Sequence, residues 1–345
     1  MKPTHLANRA FERIAEKTSI GRTYLLMRHT RVAQPKKPVA KVVISAMTEG
    51  GANANGKVKA DLFFPPFCDE LRRNGFKIEW AWSKKELARR LAGNLPAFII
   101  HLYGEDNVQI LDEDIQQIEK MAVATFNRAE TGPLLADKIA SQKILSDAGV
   151  NVPPVTTNSG HVRRRLGSKK STDLGGQVPA NEKEENFIRT RFIDTRVNFN
   201  GKSYYTTIRL ICVDEIVLHA YPRARDVDDG NPDVHAGNTP LDADLIEYLH
   251  TTLVTPFEEE FRSIAQKLFS AWGHGFFAHD LLIEGRDVFV CESGFKIDDL
   301  NYSNHLGPIS NKIPSQAPLF PIEEFSRKSA EAFVTKCASI LQDKH

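Results

Sequence analysis

The chain has 345 residues, 45 Lys and Arg against 44 Asp and Glu, and a formal net charge of +1. A length near two average domains can bury a large core without staples. The charge balance gives no general attraction to nucleic acid or to an anionic membrane. The four cysteines, Cys68, Cys212, Cys291 and Cys337, are far apart and make no C-x-x-C pair, which argues against a zinc ribbon, a thioredoxin-type site and a disulfide scaffold. Reduced structural thiols, a polar N-terminus without a signal-peptide core and no apolar run of membrane length set the expectation of a cytoplasmic protein.

In chain order, residues 6–15 carry Leu6, Ala10 and Ile14 at helical spacing, and 34–38 (QPKKP) read as a linker. Residues 39–47 (VAKVVISAM) predict a buried strand. A helix follows over 61–74, interrupted by Pro65-Pro66 and stopped at Gly75. A strand at 76–82, a helix at 84–91, a strand at 97–103, a helix at 110–121 and a strand at 122–126 continue the alternation. Strand–helix alternation with short loops predicts a parallel sheet between helices. The expected organisation is therefore a 1–38 helical extension and linker, an α/β domain over 39–130 and a second domain over 131–345.

In that second domain, 133–148 predict a helix closed by Gly149, and 150–157 an extended segment. Residues 158–185 are polar and Gly-rich. Strands are expected at 187–193, 204–213 and 215–221, the last two as a hairpin through Asp214. Phe257, Phe261, Ile264, Leu268 and Ala271 mark one helix face. Residues 276–283 and 288–292 predict a second hairpin through Glu284-Gly285-Arg286, and 322–341 a C-terminal helix. This half is α+β.

Chemistry is legible in three places. Asp280 lies within an apolar strand and Glu292 ends the next one. A loop centred on Gly285 or Arg286 puts both carboxylates on one face, whereas a strict two-residue turn puts them on opposite faces. On one face they repel unless a cation lies between them, as Mg²⁺ does with phosphate oxygens. The same spacing fits two strand-end acids facing solvent or Lys. In the 204–221 hairpin, Tyr205, Thr207 and Arg209 share a face, and Arg223 and Arg225 continue the second strand if the chain stays extended. Guanidinium groups there match phosphate geometry, although exposed sheet faces also carry Arg and Thr. The third place is the basic run 161–170 (HVRRRLGSKK), a cationic strand entering a Gly/Ser loop. Such a loop can close over polyphosphate or simply be solvated. It lacks the interleaved aromatics of a nucleic-acid binder. Gly273-His274-Gly275-Phe276-Phe277-Ala278 matches a dinucleotide fingerprint but follows a helix and opens a strand, the reverse of the required context.

The order of these features resembles the ATP-grasp superfamily over roughly 39–300. Asn127, Asp137-Lys138, Gly149 and Val152-Pro153 are similar to that family's "N…DK…L…G…VP" entry. The resemblance implies an ATP-grasp fold with a Rossmann-like pre-domain, a small clamp lobe at about 150–195 and a central lobe at about 196–345. It implies ATP contacts at Lys138, at Arg163 (where the family has lysine) with Gly167 and Ser168, and at the hinge residues Arg191, Phe192 and Ile193. Arg209 would contact the phosphates or an acylphosphate, and Arg223, Arg225 and Asn238 follow as in many members. Asp280 and Glu292 would hold Mg²⁺, although the family's E-x-N is here Glu292-Ser293-Gly294, with Asn301 or Asn304 as substitutes after a loop. The activity implied is an ATP-dependent ligase that activates a carboxylate as an acylphosphate and joins it to an amine. An ATP-grasp phosphotransferase and a non-catalytic nucleotide-binding module are the alternatives. The partners expected are small-molecule carboxylate and amine substrates. Gly50-Gly51-Ala52-Asn53, or a mere polar turn there, follows the first strand where a substrate wall is expected. No feature sets the oligomeric state, so a homo-oligomer stays open.

Overall fold

The computed structural model describes residues 23, 27–46, 57–102, 113–156, 161–164 and 187–343. The chain divides into two compact units. The first comprises residues up to 128 together with 322–343, and the second comprises 129–321.

The first unit alternates β1 (Ala40–Ser45), α1 (Lys57–Arg73), β2 (Phe76–Ala81), α2 (Lys84–Leu91), β3 (Ala97–His101), α3 (Glu113–Glu119) and β4 (Ala124–Phe126). The four strands are parallel in the order β2-β1-β3-β4. β1 and β3 are buried at every position, as a strand covered on both faces must be. Val43, Ala81, Leu87, Leu91, Ala97 and Ile99 form one layer of the core. An aromatic layer of Phe63, Phe67, Phe76, Phe98, Phe126, Phe325 and Phe333 forms another.

The C-terminal helix, Ile322–Gln342, supplies Phe325 and Phe333 to that layer, and the Ser326 hydroxyl donates to the Phe63 carbonyl. It thus belongs to the first unit, and the expected second domain over 131–345 is corrected at that end. Its apolar face is complementary to α1, which no local signal in the helix announces. Pro65 and Pro66 lie inside α1 instead of dividing it, and Gly75 ends the turn beyond α1 at φ 83°.

The expected linker is a docked strap. Asp69 on α1 accepts the backbone N–H groups of Arg31 and Val32 at 2.8–3.1 Å. The Gln34 amide pairs with both the N–H and the carbonyl of Ile78, like one residue of an added strand on the β2 edge. Asp69→Ala should therefore cost about 1–3 kcal/mol, the penalty for stranding such donors. Urea unfolding read by the fluorescence of Trp80 and Trp82 measures it. The expected helix at 6–15 and the 50–53 turn lie outside the described residues.

The second unit opens with α4 (Thr131–Ala136) and α5 (Lys138–Asp147). A single helix over 133–148 was the expectation. Asp137 breaks it by taking an extended conformation and capping α5, its carboxylate accepting from Ile139 and Ala140 N–H at 3.0 Å. β5 (His161–Arg164) pairs with β6 (Phe187–Thr190) as a separate two-stranded sheet among the described residues, with Val155 bridging to Thr190. The main sheet is antiparallel and built from β7 (Arg196–Phe199), β8 (Lys202–Val213), β9 (Ile216–Asp226), β10 (Phe276–Glu284) and β11 (Asp287–Phe295). Its order is β11-β10-β8-β7, with β9 also on β8. α6 (Ala243–Leu249) buries Leu245 and Leu249 with Tyr204 and Ala224 on one sheet face. α7 (Glu258–Trp272) buries Phe261, Ile264, Ala265, Leu268 and Trp272, the periodicity read from sequence. α8 (Asn301–Leu306) follows β11. The Gly273–Ala278 stretch leaves α7 and enters β10, so it is no dinucleotide loop.

Candidate functional site

The face of the main sheet opposite the Tyr204–Ala224 layer carries the charge. Across it, Glu292 on β11 stands opposite Asp280 on β10, Asp280 opposite Arg209 on β8, and Arg209 opposite Tyr221 on β9. Residues directly opposite in a ladder share a face, so these four form one row. One step along lies the pair Thr207 and Arg223, and beyond it Tyr205 and Arg225.

The Glu292–Asp280 pairing depends on one extra residue. Glu284 pairs with Asp287 around a two-residue turn, Gly285-Arg286, and that register continues to Leu281 and Val290. Continued further, it would set Asp280 against Cys291 and turn Glu292 to the other face. A β-bulge after Asp280 shifts the register past Cys291 and brings Glu292 opposite Asp280. Gly285, at φ 65°, allows the tight turn.

Every charge in the row is matched. Arg209 grips Asp280 with a two-pronged fork, Nε to Oδ1 at 2.8 Å and Nη2 to Oδ2 at 3.0 Å. Its remaining nitrogen donates to Asp299 Oδ2 at 3.1 Å, and the Tyr221 hydroxyl donates to the same oxygen at 2.8 Å. Arg223 donates through Nη2 to Asp280 Oδ1 at 2.8 Å and through Nε to Thr207 Oγ1 at 3.0 Å. Lys138, the first residue of α5, forms a short ion pair with Glu292. Arg223 and Asp299 are buried, and Arg209 and Asp280 nearly so.

Burial opposes ionisation of Asp280, but the guanidinium groups of Arg209 and Arg223 outweigh it and hold the carboxyl well below its ordinary value. Burial likewise opposes the charge on Arg209, and Asp280 and Asp299 outweigh it. Burial, with Asp299 adding to it, pushes the Tyr221 hydroxyl up, so the phenol stays a donor. On the opposite face, burial lowers His279 to about 3, and the neutral ring bonds Ser293 at 2.8 Å.

A neighbouring set lies at the far end of β10. Arg191 pairs with Glu284 at 2.8 Å and stands over the Phe289 ring, 5.6 Å from its centroid. Glu284 also accepts the Asp194 N–H. Phe192 is partly exposed and meets Tyr205 edge-on, while Ile193 is buried.

The structure thus brings together Lys138, Arg209, Arg223, Asp280 and Glu292. Arg191, Phe192 and Ile193 lie in the connection between β6 and β7, because the strand expected over 187–193 ends at Thr190. Arg225 is not in the cluster: it turns to Asp229 and the Asp233 carbonyl. Asn238 is spent on a turn with His235 and Asp233. Arg163 lies on β5, opposite Ile188. Gly167 and Ser168 lie outside the described residues. Alternation puts Tyr221 on the face that Arg223 continues but assigns it no role, and Asp299 is missed, although the acidic pair Asp298-Asp299 shortly after Glu292 is visible in the sequence.

The donor set at Asp280 and Glu292 does not present the open oxygens that the expected Mg²⁺ would need. Magnesium needs carboxylate oxygens free to face it, with phosphate or water completing an octahedron. Both Asp280 oxygens are taken by guanidinium N–H groups, and Glu292 is paired with Lys138. Gly294, where the resemblance places the family's Asn, has no side chain. Asn301 and Asn304 are on α8, not on the strand of Glu292. Among the described residues no group of three or more His, Cys, Asp or Glu is placed to hold a metal ion. As arranged, the row does not fit a divalent cation.

The chain is therefore a protein with one parallel α/β unit and one antiparallel α+β unit that carries a charge-matched row. No family model matches its sequence, and no curated protein does. Among solved structures it is similar to D-alanine–D-alanine ligase from Bacillus anthracis, at 14% identity over 85% of this chain and 99% of that one, with a TM-score of 0.46. It is similar to the RimK domain protein ATP-grasp from Sphaerobacter thermophilus DSM 20745, at 12% identity, 85% and 99% coverage and a TM-score of 0.44. A third is N5-carboxyaminoimidazole synthetase from Staphylococcus aureus complexed with ADP, at 11% identity, 81% and 75% coverage and a TM-score of 0.45. Identities and scores at this level transfer no reaction and no residue role. Among the described residues no helix is long and apolar enough to cross a membrane.

Proposed function

We infer that the second unit is an ATP-dependent ligase that activates a substrate carboxylate as an acylphosphate and joins it to an amine. The observation that carries this reading is the gathering of Lys138, Arg209 and Arg223 on one sheet face, in the order the motif resemblance implies. In such a reaction the γ-phosphoryl bond to ADP breaks as a carboxylate oxygen takes the phosphorus. The amine nitrogen then attacks the acyl carbon, loses a proton and expels phosphate. Negative charge grows on phosphoryl oxygens in the first step and on the acyl oxygen in the second. Positioned cations lower both barriers. Lys138 is the member whose ion-pair partner, Glu292, is the more exposed, so phosphate can compete for it. Phe192 beside Tyr205 offers an aromatic surface on which a base can stack.

ADP release by the purified chain, with ATP and a panel of amino acids, tests the reading. Lys138→Met is expected to slow it about 100–1,000-fold, as loss of one charge-stabilising donor does elsewhere. No release with any carboxylate and amine would count against a ligase. The engagement of Asp280 by two guanidinium groups favours a second reading, a nucleotide-binding module without turnover. That reading predicts that ATP raises the melting temperature while no acceptor supports ADP release.

A further inference from the structure

The row is electrically complete without a metal. Lys138, Arg209 and Arg223 supply three cations, and Asp280, Asp299 and Glu292 supply three carboxylates. A dication placed between Asp280 and Glu292 would have to displace the guanidinium groups that occupy both Asp280 oxygens. Neither guanidinium is free to yield, because each is anchored from behind. Asp299, itself fixed by the Tyr221 hydroxyl, holds Arg209, and Thr207 holds Arg223.

We propose that Arg209 and Arg223 stand in place of a protein-bound divalent cation, and that this sheet face receives an oxyanion directly. A guanidinium has five N–H donors. The bonds described leave two on Arg209 and three on Arg223 for such a ligand. Lys138 adds a third donor group once Glu292 releases it. The ligand class is a polyphosphate or an acylphosphate, and only that identification rests on the ligase reading. The fork geometry suits it, since phosphate oxygens accept paired N–H bonds. Its binding is then independent of divalent cation, whereas a carboxylate-held magnesium site would make it obligatory.

Two measurements on the full chain test this without any turnover. The first titrates Mn²⁺ alone and follows loss of the free-ion paramagnetic resonance signal. Wild type and Asp280→Asn are expected to give superposable curves. Arg223→Met, which removes one hydrogen bond from Asp280, is expected to gain about tenfold in Mn²⁺ affinity, the factor one charge-assisted bond supplies. Uptake of Mn²⁺ by wild type that Asp280→Asn or Glu292→Gln abolishes would overturn the proposal. Because Arg223→Met leaves a carboxylate short of a partner and can fail to fold, the second measurement uses wild type only. Inorganic tripolyphosphate is expected to raise the melting temperature equally in EDTA and in Mg²⁺ at matched ionic strength. A shift seen only with Mg²⁺, or none in either, overturns it. Failure of ADP release beside a metal-independent shift removes the ligase reading and leaves this proposal standing.

Discussion

Arg209→Met is expected to destabilise the second unit by about 3–5 kcal/mol, the cost of removing one partner from a buried ionic network. The size follows from what the arginine leaves behind. Among the described residues, Asp299 would keep the Tyr221 hydroxyl and Asp280 one contact with Arg223. Arg209→Lys keeps the charge but not the fork, so its loss should be smaller, and the difference isolates geometry from charge. The measurement is urea unfolding followed by Trp272, which lies in this unit, whereas Trp80 and Trp82 lie in the other. A loss within about 0.5 kcal/mol, the ordinary range of a surface substitution, would show that the network does not form.

The same network sets a pH dependence. The Asp280 carboxyl is held below its ordinary value of 3.8, so its contribution is present above that pH. It is lost as pH falls from there through the depressed value, because protonation breaks the fork. Wild-type stability should therefore decline below pH 3.8 more steeply than that of Asp280→Asn, which does not titrate there. Parallel slopes in urea series at descending pH would contradict this.

How much of the site was legible in the sequence depended on the range of the forces that make it. Arg209 was assigned to its face from alternation alone, because a strand's period of two is local. Alternation leaves the pairing of Asp280 with Glu292 between two registers, and the two-residue turn favours the wrong one. The bulge at Cys291 corrects it, and no turn residue encodes that bulge. Asp137 was read only as part of a family motif. In the structure it is the cap that starts α5 and places Lys138 at the first turn. Asp299 escaped because its role depends on Arg209, 90 residues earlier. In the parallel unit the strand and helix order was legible throughout, since uninterrupted β-branched runs and capped amphipathic segments carry their own signal. The destination of the C-terminal helix was not, because an apolar helix face specifies burial but not a partner.

That destination gives the second large effect. Phe333→Ala is expected to cost about 3–5 kcal/mol, the usual range for deleting a buried phenylalanine ring from a packed core. Phe333 is fully buried, and its ring meets those of Phe67, Phe76, Phe98 and Phe126, with the Phe126 centroid 4.6 Å away. Each neighbour comes from a different element, α1, β2, β3 and β4, so the cavity cannot close by moving one of them. The loss must fall on the first unit, since the helix packs there although 322–342 follows the second unit in sequence. Fluorescence of Trp80 and Trp82 should report an earlier transition in the variant, while Trp272 reports one at the wild-type midpoint. Single-tryptophan versions of the chain, with the remaining tryptophans replaced by phenylalanine, separate the two signals. An equal shift at Trp272 would mean that the two units unfold as one cooperative body. An unshifted signal at Trp80 and Trp82 would mean that the C-terminal helix does not pack into the parallel sheet.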